Sequence, residues 1–240
     1  TLKKTSLKLT ALFAATLLAF SAQAKIITDV DGNQVEIADR VERVADLWHA
    51  NNQIVLLLGG ADKLVATTTA IAANPWFAEV YPNIKNVPVL TNGETIQVEE
   101  LLSQKPDAVL LSKKSMLTEV NQAGLKGVRV SFQDFEGLKK TVSITAEVLG
   151  DKAPEIAKSY IKELEDNIQF VESRIKDVKE KQRPTVLHIT NGSDLLKIDG
   201  GKSMIGEWIR MAGGKSVLPD EANMVTVTME SIVEANPDVI

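Results

Sequence analysis

Val98-Glu99-Glu100-Leu101-Leu102-Ser103-Gln104-Lys105-Pro106-Asp107-Ala108-Val109 and Met229-Glu230-Ser231-Ile232-Val233-Glu234-Ala235-Asn236-Pro237-Asp238-Val239 decide how this chain is read. Glu, Pro and Asp fall at the same spacing in both stretches. Each reads as a short helix halted ahead of a proline, which restricts the residue before it and cannot continue a helix. Each then enters an apolar strand. A helix–strand unit at the same place in two halves of a chain points to a pseudo-symmetric pair of lobes.

The sequence around the first copy alternates. A hairpin is expected at the start, with Ile26–Val30 and Gln34–Ile37 flanking the turn signal Asp31-Gly32-Asn33. Strands follow at 41–47, 63–67, 107–111 and 128–132, and helices at 49–58, 98–104 and 117–123. Strands alternating with helices predict a parallel sheet covered on both faces. From about Phe135 to Lys181 the pattern is helical, broken once at Gly150-Asp151. Ile156, Tyr160, Ile161, Leu164, Ile168, Val171, Ile175 and Val178 form an amphipathic stripe. Alternation resumes after Arg183-Pro184, with strands at 185–190 and 195–199 and a helix over 204–212. The expected fold class is α/β, with two pseudo-symmetric parallel-sheet lobes joined by one long rigid helix and a ligand cleft between them. The expected units are a lobe at 25–150, a linking helix at 151–183 and a second lobe at 184–240. The second copy of the repeat reaches Ile240 in mid-strand, so that lobe reads as incomplete, the start of a longer one.

Residues 1–24 read as a signal peptide. Lys3, Lys4 and Lys8 precede an uncharged apolar run from Leu9 to Phe20, and Ser21-Ala22-Gln23-Ala24 ends in the small-x-small style of a cleavage site. The run is too short for a bilayer, which needs about 20 apolar residues. Export to the periplasm is the expected localisation. There is no cysteine, hence neither disulfide nor reactive thiol. Formal net charge is −5, which argues against nucleic acid and anionic lipid as partners.

With its opening hairpin, its 41–47 strand, its two Glu…Pro-Asp segments and its single long helix, the chain resembles the class III periplasmic binding proteins of ABC importers. That family carries vitamin B12, ferric siderophores, haem and related solutes. Among its branches the chain looks most similar to the molybdate- and tungstate-binding one. The resemblance implies a solute cleft between lobes held at a nearly fixed distance, and a monomer that delivers its solute to an inner-membrane permease. It also implies docking through one surface glutamate per lobe, which by position are Glu99 and Glu230.

In an open α/β sheet, ligands bind beyond the carboxyl ends of the strands. The residues that follow those ends are Trp48, His49 and Asn51, Thr67 to Thr69, Ser112 to Ser115, and Ser131 to Gln133. In the second lobe they are Asn191 to Ser193 and Gly200-Gly201-Lys202-Ser203. The expected ligand contacts are Trp48, His49, Thr68, Ser112, Lys113, Asn191, Lys202 and Ser203. Hydroxyls, amides and lysines, with glycine backbone N–H groups, suit an anion. Molybdate or tungstate is therefore the favoured solute, with a ferric siderophore, haem or cobalamin as the alternative. No resident cofactor or directly held metal is expected.

Other functions fit less well. Two histidines far apart give no metal-ligand spacing for a hydrolase or a zinc carrier. No Gly-x-Ser-x-Gly elbow is present. Gly201-Lys202-Ser203 and Gly214-Lys215-Ser216 end like a P-loop, but Leu196 and Ile209 stand where the upstream glycine must be. A coiled-coil adaptor built on the long helix leaves the duplication unexplained. A binding protein rather than an enzyme is expected.

Overall fold

The computed structural model describes residues 23–240. The expected signal segment therefore lies, but for Gln23 and Ala24, outside the described residues. Strands β1 (Ala24–Thr28) and β2 (Gln34–Ala38) form the antiparallel hairpin. Its turn is held from inside. Asp29 is fully buried, and its carboxylate accepts the N–H groups of Asp31 and Asn33, each at 2.9 Å.

The first lobe is a five-stranded sheet of β3 (Val44–Asp46), β4 (Leu64–Thr68), β5 (Val89–Thr91), β6 (Ala108–Leu111) and β7 (Gly127–Arg129). The order is β5-β4-β3-β6-β7, and every pairing is parallel. Helices α1 (His49–Leu57), α2 (Thr69–Ala72), α3 (Pro75–Val80), α4 (Val98–Ser103) and α5 (Lys114–Gln122) connect the strands. Successive side chains of a strand point to opposite faces, so a strand buried on both faces is apolar throughout. Val44, Leu110 and Val128 thus join one apolar cluster with Ile54 and Val55 of α1. Ala45, Val109 and Leu111 join another with Leu101 of α4 and Met116 and Val120 of α5.

Helix α6 (Phe135–Leu149) leads through Gly150 into α7 (Ala153–Ile175). Gly150 has φ 68°, the left-handed side that favours glycine. Lys63 clamps this corner, donating to the carbonyls of Val41 and Leu149 and to the Asp151 carboxylate within 2.9 Å. At 23 residues α7 is about 34 Å long. It buries Ala153 and Ala157 against the first lobe and leaves most of its length at the surface. The helix is shorter than the stretch 151–183. It ends at Ile175, Val178 turns back to the Ile175 carbonyl, and Glu180–Gln182 forms a 3₁₀ turn.

The second lobe contains β8 (Thr185–Val186), β9 (His188–Asn191), β10 (Asp194–Asp199), β11 (Lys215–Ser216) and β12 (Val225–Thr226). Its helices are α8 (Met204–Met211) and α9 (Met229–Ala235). β8 pairs in parallel with β11, and Val186 bridges in parallel to Val239. The stretch 185–190 is not one strand as expected. Leu187 separates β8 from β9, and β9, β10 and β12 make an antiparallel sheet.

The repeat has a physical explanation. Lys105 and Asn236 both take left-handed backbone, with φ 49° and 45°, just before the two prolines. Asp107 then accepts the N–H groups of Glu42 and Arg43 at 2.8 and 2.9 Å, at the entry to β3. Asp238 accepts the N–H and hydroxyl of Thr185 at 2.7 and 2.8 Å, at the entry to β8. In each lobe the aspartate fastens its own strand to the amino end of the first strand. These bonds hold Asp238 below the usual carboxylate range.

Candidate functional site

Strand order fixes where a ligand can enter the first lobe. The chain runs from β3 to β4 and β5 on one side, then returns to lay β6 and β7 on the other. The reversal lies between β3 and β6, and the crevice beyond such a switch point is where open α/β sheets take ligands. Trp48 follows β3 there, and Ser112 and Lys113 follow β6.

Trp48 sits at the N-cap of α1 without any side-chain cap. Its indole packs on Phe132, which follows β7, at 5.1 Å between ring centroids and 51° between planes. Its backbone is held by a buried polar set. Asp46 Oδ1 accepts the Trp48 N–H at 3.1 Å. Asn52 Nδ2 donates to the carbonyls of Asp46 and Trp48, both at 2.9 Å. Asn51 Nδ2 donates to Asp46 Oδ2 at 2.9 Å, the Thr145 hydroxyl to Asn51 Oδ1 at 3.0 Å, and the Thr67 hydroxyl to Asn52 Oδ1 at 2.7 Å. All five of these polar residues are fully buried. Burial pushes the Asp46 carboxyl up to about 8, against the N–H groups of Trp48 and Asn51, which favour its ionised form.

The other expected contacts are distributed unevenly. His49 is exposed at the start of α1. Lys113 pairs with Glu94 at 2.6 Å, which joins the loops after β6 and β5. Ser112 gives its carbonyl to Arg129 Nε at 2.6 Å, and Arg129 grips Asp31 of the hairpin turn at 2.9 Å. Three hydroxyl and amide groups are already engaged, which corrects the expectation that they are free for a solute. Thr68 is buried and caps α2 through the Ile71 N–H at 3.2 Å. Ser203 is buried and caps α8 through the Gly206 N–H at 3.0 Å. Asn191 sits at the β9–β10 hairpin, where its Oδ1 accepts from Ser193 and Asp194.

The glycine pair also differs from expectation. The N–H groups of Gly200, Gly201 and Lys202 bond to the carbonyls of Ala222, Leu218 and Glu221 of their own chain. A Cβ on Gly200 or Gly201 would come within 2.4 Å of the Glu221 or Pro219 carbonyl oxygen. Here glycine lets the 218–222 loop close against the strand end. It does not open the backbone to a solute. Lys202 projects outward and pairs with Asp220 at 3.4 Å.

A groove of about 730 Å³ gathers residues from both lobes. Gln133 and Asp134 come from the first. Lys202, Ser203 and Glu207 of the α8 region, with Lys215, come from the second, and Arg183 from the end of the linking segment. The lobes touch across it: the Phe135 N–H, opening α6, donates to Glu207 Oε2 at 2.5 Å. Lys202 and Ser203 line this groove; Trp48, His49, Thr68, Ser112, Lys113 and Asn191 do not. Nearby, His188 Nδ1 lies 3.0 Å from the buried Asp199 carboxylate, which also accepts the Met224 N–H. Among the described residues no three His, Cys, Asp or Glu side chains form a group able to hold a metal ion.

The family model described as periplasmic binding protein matches residues 44–240, from the first strand of the main sheet to Ile240. The chain belongs to the periplasmic binding protein family. It is 30% identical over 201 residues to the high-affinity heme uptake system protein IsdE of Staphylococcus aureus, covering 75% of this chain and 66% of that one. It is 24% identical to the uncharacterized ABC transporter substrate-binding lipoprotein YvrC of Bacillus subtilis, covering 89% and 67%. In fold it is similar to the molybdate periplasmic binding protein MolA of Haemophilus influenzae, with TM-score 0.80, 20% identity, and 90% and 73% of the two chains covered. The chain thus spans about two thirds of the length of the curated relatives it matches. The family fold agrees with the two α/β lobes and with the spanning helix between them. No helix among the described residues is long and apolar enough to cross a membrane.

Sequence reasoning turned Asn51 and Thr67 toward the ligand, whereas both are fully buried in the set around Asp46, and one signal for this was present. Asn51 stands three and four residues before Ile54 and Val55, and so on the apolar face of α1. A polar side chain on that face needs a buried partner.

Proposed function

We propose that this chain is the solute-capturing component of an ABC importer, working in the periplasm after export by its signal segment. It takes a small anionic solute, molybdate or tungstate, into the crevice between the lobes. Trp48, His49, Ser112 and Lys113 serve at the strand ends of the first lobe, outside the groove of about 730 Å³, and Lys202 serves from the groove itself. The observation that carries the capturing role is the placement of Trp48, Ser112 and Lys113 at the switch point of the first sheet. Lysines at the strand ends supply the charge an oxyanion needs. The likeness in fold to a molybdate-binding protein supports the solute class. Haem is the second reading, favoured by the Trp48–Phe132 aromatic pair beside the exposed His49 and by the heme-uptake relative.

Delivery goes through the glutamates of the repeat. Glu99 and Glu230 are exposed second residues of α4 and α9, one on each lobe. Arginines on a permease would meet both at once, so pairing at two sites multiplies the strength of each. Glu99→Lys with Glu230→Lys tests this in cells that depend on the importer. Uptake should fall at least tenfold while solute binding by the purified variant stays within twofold of the parent. Uptake unchanged in the double variant contradicts the docking role.

A further inference from the structure

The cap of α1 is unusual for its residue type. A helix start normally carries Ser, Thr, Asp or Asn, whose side chain satisfies a free N–H group. Trp48 has no such group, and its helix has no side-chain cap of its own. Two buried side chains hold the backbone of the cap residue itself. Asp46, two residues upstream, takes the Trp48 N–H, and Asn52, one turn downstream, donates to the Trp48 carbonyl. Each of these groups is in turn held by another buried polar group. Thr67 of β4 fixes Asn52, and Thr145 of α6 fixes Asn51, which fixes Asp46. Both faces of the loop after β3 are therefore tied, one to the neighbouring strand and one to the helix that leads to the second lobe. Apolar residues at these positions would fill the space without any need for partners. What the polar set adds is a backbone position for Trp48 that leaves its indole free to lie on Phe132.

On the reading of the crevice given above, we propose that Asp46, Asn51, Asn52, Thr67 and Thr145 are positioning residues that fix the Trp48 backbone, so that its indole forms one wall of the solute site. They touch no solute themselves. Asn52 is the centre, because one amide group holds two carbonyls and its oxygen is held by Thr67.

The protein has three tryptophans. Trp76 and Trp208 are 78% and 50% exposed, so Trp76→Phe with Trp208→Phe leaves Trp48 as the sole reporter. In that background Asn52→Leu and the gentler Thr67→Val are compared with Asp107→Ala. Asp107 ties the opposite, amino end of β3 and serves as a control for stability alone. Acrylamide quenching of Trp48 is measured in the folded protein, and sodium molybdate and haemin are titrated. Asn52→Leu should raise quenching about twofold or more and weaken the bound probe about tenfold. Thr67→Val should move both in the same direction by less. Asp107→Ala should lower the melting temperature while leaving both unchanged. Folded Asn52→Leu or Thr67→Val with parental quenching overturns the proposal. Should Asn52→Leu not fold, Thr67→Val decides. If neither probe binds the parent, the solute reading fails, and the quenching still decides the positioning role.

Discussion

Asp46 concentrates the cost of the site in one carboxyl group. It is wholly buried at the end of β3, with two hydrogen bonds and no cation among its partners. Desolvation lifts it from 3.8 to about 8, so the fold favours its neutral form near neutrality. The Asn51 amide can serve either state. With Asp46 ionised, its NH2 group faces the carboxylate. With Asp46 protonated, half a turn of the amide offers its oxygen to the new O–H and its NH2 to Thr145. A folded pKa above the unfolded one contributes stability that is complete below about pH 4 and is lost as pH rises through about 8. Urea unfolding of the parent should therefore lose on the order of a few kcal/mol across that window. Asp46→Asn should flatten the loss; an equal slope in parent and variant would assign it to other groups. Little of this was legible in the sequence, where Asp46 reads as one polar residue within the 41–47 strand. A pattern records that a side chain is polar, not which way it turns. By contrast the places of Trp48, Ser112 and Lys113 beyond the ends of β3 and β6 were legible, because strand ends can be counted.

At the scale of elements the Pro-Asp units were the most legible part, and the structure explains why. The left-handed residue, the proline and the aspartate act within a few residues of one another, so local chemistry decides the outcome. The end of α7 was less legible. The apolar stripe continues to Val178 and no proline intervenes before Pro184, so periodicity carries past the last helical residue, Ile175. The β9–β10 hairpin was missed for a related reason. A short apolar strand has the same pattern in a parallel and an antiparallel setting. The α6–α7 corner yields a further prediction. Gly150 has φ 68° and ψ −151°, a conformation that side chains strain to adopt. Gly150→Ala should cost about 1–3 kcal/mol in chemical denaturation. A variant as stable as the parent would show that the corner relaxes, and that α7 is held by Lys63 and its packing alone.

Over the whole molecule, two α/β lobes are tied at two points, with a groove beside one of them. Helix α7 spans them, the Phe135–Glu207 hydrogen bond joins α6 to α8, and the groove of about 730 Å³ runs beside that contact. A spanning helix resists hinge motion, so on the proposed function the crevice is expected to change little when a solute binds. The fold class and the family were legible because duplication and alternation are properties of the whole chain. The groups free to meet a solute were less so. Hydroxyls that look available in sequence, Thr68 and Ser203, are consumed as helix caps, and the Gly200-Gly201 backbone is consumed by its own loop. The chemistry left over is a tryptophan, a histidine and two lysines whose carboxylate partners lie at the exposed surface. Isothermal titration of the purified protein with molybdate and tungstate, with sulfate and haemin as comparisons, tests this reading most directly. Saturable heat at one site per chain with molybdate and tungstate, and none with sulfate, is the predicted result. Heat with haemin alone, or with none of the four, would contradict it.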